Sequence, residues 1–239
     1  AIRIHEHGGP EVLRLDEVDP GTPGPGQALI RQTAAGLNFI DVYHRTGLYP
    51  VPAMPAVIGN EGAGVVEAVG DSVTEVGVGD RVAYSMSLGS YAEQRVVDAA
   101  RLVKVPDAIT DQQAAAMMLK GCTVQYLIRR IYPVKPGDTI LLHAAAGGVG
   151  LIACQWAKHL GATVIGTVGS DEKAELARAH GCDHAIVYTR ENVPERVRAL
   201  TDGAGVPVVF DSVGKDTFMA SLDCLQPRGL MVSYGNASG

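Results

Sequence analysis

The residues best suited to chemistry are His143-Ala144-Ala145-Ala146-Gly147-Gly148-Val149-Gly150. A dinucleotide fingerprint of the form G-x-G-x-x-G would put glycines at 145, 147 and 150; here Ala145 replaces the first and the other two are present. Gly147 lets a diphosphate approach the backbone, and Gly150 lets helix and strand pack closely. A helix opening here offers free N–H groups and the positive end of its dipole to phosphates. Without a ligand, the same residues would simply make a tight turn. A second group follows about 20 residues on, where an NAD site keeps an acid for the ribose 2′-OH. Here that place reads Gly169-Ser170-Asp171-Glu172-Lys173. Small neutral Gly169 and Ser170, with Lys173 one turn into the next helix, suit a 2′-phosphate better than a bare ribose. Asp171 lies past the strand tip and reads as a first-turn helix acid. The pattern favours NADP(H) over NAD(H).

These groups need a strand before them and a helix after them. Thr139-Ile140-Leu141-Leu142-His143 is a buried-strand run entered through Lys135-Pro136-Gly137-Asp138. Val149, Ile152, Ala153, Trp156, Ala157 and Leu160 recur at helical spacing, and Gly161 is the expected stop. Further strands are expected to begin near Thr163, His184, Val208 and Leu230, with helices opening at Ser170-Asp171 and near Pro194. Strand and helix alternating at this pace predict a doubly wound parallel sheet covered on both faces. Up to about residue 105 the pattern is different. Short apolar or alternating runs at 12–15, 28–31, 64–69, 81–84 and 101–105 are separated by Pro-Gly and Gly-Asp turns. That predicts a β-rich, barrel-like domain with no long helix. The expected fold is α/β: a β-rich domain at 1–121 followed by a dinucleotide-binding domain at 122–239.

Composition narrows the function classes. Glycine is in excess, 29 of 239 residues. Net charge is −6, with no basic run, which argues against nucleic-acid or anionic-membrane partners. No apolar stretch approaches the ~20 residues of a membrane span, and the first residues lack a signal-peptide core. Cys122, Cys154, Cys182 and Cys224 stand singly, without a C-x-x-C pair, so a cytoplasmic chain is expected and a disulfide scaffold is not.

Several stretches together carry a family resemblance. They are His7-Gly8-Gly9-Pro10-Glu11-Val12-Leu13, Gly36-Leu37-Asn38-Phe39-Ile40-Asp41-Val42-Tyr43, Arg45-Thr46-Gly47-Leu48-Tyr49-Pro50, Gly79-Asp80-Arg81-Val82, Leu119-Lys120-Gly121, the 143–150 turn and Phe210-Asp211-Ser212-Val213-Gly214. With them the chain resembles the medium-chain dehydrogenase/reductase superfamily, and within it the zeta-crystallin-like NADPH:quinone oxidoreductases. The resemblance implies a GroES-like front domain, a Rossmann domain, and a cleft between them for the nicotinamide. It implies hydride transfer from NADPH to a quinone, by a protein that is a homodimer when full length. Cofactor contacts would come from Phe39, Ile40, Asp41, Val42, Tyr43, Lys120, Thr123, Tyr126, Gly147, Gly148 and Val149. Gly169, Ser170, Lys173 and Tyr188 would hold the adenosine phosphate, and Val213, Gly235 and Asn236 would close over the nicotinamide. Asn38, Asp41, Tyr43 and Tyr49 would position the substrate, with no obligatory acid–base residue. Read alone, Tyr43 and Tyr49 are ordinary half-buried packing, Asp41 is equally a cap, and Lys120 is equally a solvated lysine.

Zinc alcohol dehydrogenases of the superfamily carry a Cys where this chain has Asn38, and a G-H-E where it reads Gly59-Asn60-Glu61. Neither asparagine is a good zinc ligand, so no metal is expected, His44 near Asp41 notwithstanding. A metal-free site suits quinones or alkenes conjugated to a carbonyl. Two alternatives stay open: an enoyl or alkenal double-bond reductase, and an NADPH-binding structural or RNA-binding protein. The family also carries a sixth strand and a return segment beyond the fifth Rossmann strand, so a C-terminally incomplete chain is expected.

Overall fold

The computed structural model describes residues 1–239 and divides into two compact units, Ala1–Leu119 and Lys120–Gly239. In the first unit, β3 (Gln27–Ala35), β5 (Glu61–Val69), β6 (Arg81–Ser85), β7 (Gln94–Asp98) and β8 (Val103–Lys104) form an antiparallel sheet in the order β7-β3-β5-β6-β8. A second sheet orders β2 (Leu13–Leu15), β1 (Ile2–Ile4) and β4 (Ala56–Val57) as β2-β1-β4. Ala28, Ile30, Val66, Val82, Tyr84 and Val97 alternate inward along their strands and form the core of the five-stranded sheet. Two helices depart from the expected β-only front half: α1 (Phe39–Thr46) and α2 (Asp111–Tyr126), the latter containing the unit boundary. β7 was not among the expected strands either.

The second unit opens with a π-helical turn at Leu127–Ile131 and continues β9 (Thr139–Leu142), α3 (Gly148–His159), β10 (Thr163–Val168), α4 (Asp171–Ala179), β11 (His184–Val187), α5 (Val193–Leu200), β12 (Val206–Asp211), α6 (Phe218–Cys224) and β13 (Leu225–Ser233). All strand pairs are parallel, in the order β11-β10-β9-β12-β13. The inner strands β9, β10 and β12 are mostly apolar and buried because both faces are covered. Ile140 and Leu142 pack with Ala153, Cys154 and Ala157 of α3 on one face. Leu141 and Ile165 pack with Val197 of α5 and Cys224 of α6 on the other. Gly161 and Gly181, with φ of 84° and 95°, take the left-handed positions that end α3 and α4. No helix is long and apolar enough to cross a membrane.

Candidate cofactor and substrate sites

β9 delivers the chain into the 143–150 turn at the carboxyl edge of the parallel sheet, beside the point where strand order reverses between β10 and β12. Ala144 sits at φ 54°, and its carbonyl accepts from Gly147 N–H at 2.8 Å. Ala145 N–H donates to Thr167 O of β10 at 3.0 Å, which fixes the turn to the neighbouring strand. A Cβ on Gly150 would stand 2.3 Å from Ala144 O and 2.6 Å from Ala145 O. Glycine is therefore required there by backbone contact. Ala144, Gly147 and Gly148 face solvent, so the turn presents its backbone, and the first N–H groups of α3 lie behind it. The Lys120 side chain runs against Gly148, its Cδ and Cε 2.7 Å from where a Cβ would be.

A buried polar chain holds this edge together. His143 has both ring nitrogens engaged, Nδ1 with Thr167 Oγ1 and Nε2 with Ser221 Oγ, each at 2.9 Å. Ser221 donates its hydroxyl proton to Asp211 Oδ2 at 2.9 Å, so it must accept from His143 Nε2–H. The imidazole is thereby fixed as the Nε2–H tautomer, with Thr167 donating to Nδ1. Asp211 Oδ2 also accepts from Thr217 Oγ1 at 2.7 Å, and Oδ1 accepts from Val213 N and Gly214 N at 2.7 and 3.1 Å. Burial pushes the His143 pKa down, with Asp211 opposing only in part. Burial also opposes ionisation of Asp211, but its hydrogen bonds and the neighbouring His143 outweigh it and lower its pKa. No local sequence signal marks this network, because His143 and Ser221 lie 78 residues apart and meet only in the fold. Above it, Ser238 N–H donates to Val213 O at 2.8 Å and Ala237 N–H to Ser212 O at 3.2 Å. These bonds bring Val213 together with the turn of Gly235 and Asn236. Thr123 and Tyr126 lie on α2, with Tyr126 exposed. Val149 is half-buried in the first turn of α3.

At the tip of β10, Ser170 caps α4, its Oγ accepting from Lys173 N at 3.3 Å. Tyr188 lies over Gly169, its hydroxyl 2.9 Å from where a Cβ would stand. Gly169, Ser170, Lys173 and Tyr188 are thus grouped at one tip, with Lys173 and Tyr188 exposed. Arg190, which the sequence did not single out, joins them from the turn after β11. Its Nη1 donates to Asp171 Oδ2 at 2.6 Å and its Nη2 to the other carboxylate oxygen.

In the first unit, Asn38 caps α1 and forms a reciprocal capping box with Asp41. Asp41, 3% exposed, accepts from Asn38 N at 2.9 Å and Tyr91 Oη at 2.8 Å on Oδ2, and from Asn60 Nδ2 at 2.9 Å on Oδ1. Burial, then the charge of Asp41, pushes the Tyr91 pKa up strongly, so the phenol stays a donor. Asn38 Nδ2 donates to Glu61 Oε2 at 2.8 Å. The two positions that the zinc enzymes fill with Cys and His are therefore amides whose nitrogens are committed to carboxylates. Zinc takes thiolate, imidazole or carboxylate, and this donor set does not fit a catalytic zinc. Phe39 and Tyr43, one turn apart, meet in a tilted arrangement at 6.4 Å between ring centroids, and Tyr43 meets Tyr49, also tilted, at 5.1 Å. Ile40 and Val42 are half-buried beside them. The structure thus gathers three aromatic rings next to a buried carboxylate–amide network, with Asp41 inside the network and Phe39 exposed.

Comparison with known proteins agrees with this geometry. Residues 148–239 match the family model described as zinc-binding dehydrogenase, and residues 24–107 match the alcohol dehydrogenase GroES-like domain. A quinone oxidoreductase of Pseudomonas aeruginosa is 59% identical over 239 residues, covering all of this chain and 74% of that protein. A 2-haloacrylate reductase of a Burkholderia species is 52% identical, covering all of this chain and 74% of its own length. The crystal structure of Escherichia coli quinone oxidoreductase complexed with NADPH superposes with a TM-score of 0.98 at 51% identity, over all of this chain and 73% of that one. With a GroES-like first unit, a Rossmann second unit and relatives this similar along its whole length, the chain belongs to the quinone oxidoreductase family of medium-chain dehydrogenases/reductases.

Proposed function

We propose that the protein is an NADPH-dependent, zinc-independent reductase of quinones, with 122–239 as its dinucleotide-binding domain. The observation that carries this reading is the backbone turn at 143–150 opening onto α3, within a Rossmann sheet whose neighbouring strand tip keeps its acid, Asp171, engaged by Arg190. Gly147, Gly148 and the first N–H groups of α3 take the diphosphate, with Lys120 alongside. Gly169, Ser170, Lys173 and Tyr188 take the 2′-phosphate. Thr123, Tyr126, Val149, Val213, Gly235 and Asn236 hold the nicotinamide end. Bound NADPH supplies a hydride, and a proton from solvent completes the quinol. The front unit orients a flat acceptor against Phe39, Tyr43 and Tyr49, next to Asn38 at the start of α1. Asp41 acts from behind, holding Asn38 and the first turn of α1 in place. The amide donor set supports chemistry without a Lewis acid. We further propose a cytoplasmic protein that is a homodimer when full length, with no nucleic-acid partner, the last in line with the net charge of −6.

The similarity to a 2-haloacrylate reductase favours a second reading, reduction of an alkene conjugated to a carboxylate or carbonyl, at the same site. Steady-state NADPH oxidation with 1,4-benzoquinone, 2-cyclohexenone and 2-chloroacrylate separates the two. The first reading predicts a kcat/KM for the quinone at least about tenfold above the others, a gap of one transition-state contact. Higher kcat/KM for either alkene would replace it with the second.

A further inference from the structure

Just past the β10 tip, the first residue of α4 is an acid, Asp171, close to where NAD enzymes place the carboxylate that reads the ribose. In the structure this acid is taken. Arg190, 19 residues on, grips both of its oxygens in the planar two-bond arrangement that guanidinium makes with carboxylate or phosphate. The turn bearing Arg190 is itself fastened to the tip. Tyr188 N–H donates to Val168 O at 3.1 Å, Thr189 Oγ1 donates to Gly169 O at 3.4 Å, and Glu191 is tied to Val187 N and Arg196. Asp171 is thus the carboxylate that Arg190 meets, while Lys173 and Arg178 stand on the same helix. Both partners are more than half exposed, and exposed pairs of this kind are held weakly.

We propose that Arg190 and Asp171 form the cofactor-selectivity pair of this protein: Arg190 masks the acid that would accept an NADH ribose, and shares its guanidinium with the 2′-phosphate of NADPH. A phosphate dianion carries more charge than the carboxylate, and the fork geometry suits both. The exchange needs only rotation of an exposed side chain. This inference rests on the dinucleotide reading given above. It adds to Lys173 a second cation with a separate role. Lys173 attracts phosphate, whereas Arg190 both attracts phosphate and removes the competing acid.

The test is a fluorescence titration of wild-type protein, Arg190→Gln and Asp171→Asn with NADPH and with NADH, alongside melting temperatures. Loss of one exposed charge-assisted contact predicts about a tenfold rise in the NADPH Kd for Arg190→Gln. Its NADH Kd falls, because Asp171 is released to the ribose. Asp171→Asn keeps or tightens NADPH and leaves NADH no better. All three melt within about 2 °C of each other, as exposed substitutions do. An unchanged NADPH Kd in Arg190→Gln, or equal weakening of both cofactors, overturns the selectivity role. Failure of the wild-type protein to bind either cofactor instead overturns the dinucleotide reading beneath it.

Discussion

Gly150 is the residue at which the phosphate turn has least room, and replacing it with alanine separates packing from ligand contact. The added methyl would lie 2.3 Å from Ala144 O and 2.6 Å from Ala145 C and O, about 1 Å inside ordinary contact. Every one of those atoms is backbone, so no side chain can swing aside. The turn must move away from α3, against the Ala145-to-Thr167 bond and the His143 anchor. Overpacking of this kind costs about 1–3 kcal/mol. For a chain of this size that lowers the melting temperature by roughly 2–12 °C. A displacement near 1 Å at a positioned site costs about 100-fold, so the NADPH Kd should rise by about that factor. Gly147→Ala is the control. Gly147 has φ −82°, which alanine accepts, and its Cβ would meet Ala144 O at 3.1 Å and Ala144 Cβ at 3.9 Å. This variant should melt within about 2 °C of wild type. It should still bind NADPH at least about tenfold more weakly, because its methyl occupies the path of the diphosphate. Calorimetry and NADPH fluorescence read both quantities. Unchanged melting of Gly150→Ala would refute the packing argument, and wild-type NADPH affinity in both variants would refute the phosphate role.

Other predictions follow from the two networks and the aromatic cluster. His143→Ala removes a partner from two buried hydroxyls, Thr167 and Ser221, and should destabilise by about 2–5 kcal/mol in chemical denaturation. Because His143 is held neutral, with a folded pKa below its unfolded value of about 6.5, stability should fall as pH drops through 6.5. The lowered pKa of Asp211 adds a further loss below about pH 4. A stability curve that stays flat between pH 7 and 5 would contradict the buried neutral imidazole. Asp41→Ala strands Asn38 N, Asn60 Nδ2 and Tyr91 Oη and should cost about 3–5 kcal/mol, whereas Asp41→Asn keeps part of the network and should cost less. Tyr43→Ala should raise the quinone KM by about tenfold with the NADPH Kd changed less, since one aromatic ring contact is lost.

The parallel sheet was legible because its signals are local. The run 139–142 is continuously apolar, α3 repeats apolar residues at helical spacing, and Gly161 and Gly181 end helices through positive φ. β12 and β13 start earlier than expected, at Val206 and Leu225, because Gln226, Pro227 and Arg228 obscure the strand pattern that the parallel ladder nevertheless extends. α1 was missed because it is only eight residues long and follows several strands. The N-x-x-D of Asn38 and Asp41 was its available signal, a capping box read only as chemistry. At the candidate sites, Gly150 and the Ser170 cap follow from motif spacing. Arg190 on Asp171 and Ser221 on His143 do not, since side chains 19 and 78 residues apart are joined only by sheet order. Asp41 carried a cap and a substrate role with equal weight in sequence; its full set of protein donors shows the cap.

This chain should bind NADPH in preference to NADH and pass its reducing equivalents to a quinone. The most direct measurement is titration of the purified protein with each cofactor by nicotinamide fluorescence, followed by addition of 1,4-benzoquinone. Tighter binding of NADPH, with fluorescence lost at an enzyme-dependent rate once quinone is added, is the predicted result. Tighter binding of NADH, or bound NADPH that quinone does not oxidise faster than the protein-free control, would contradict it.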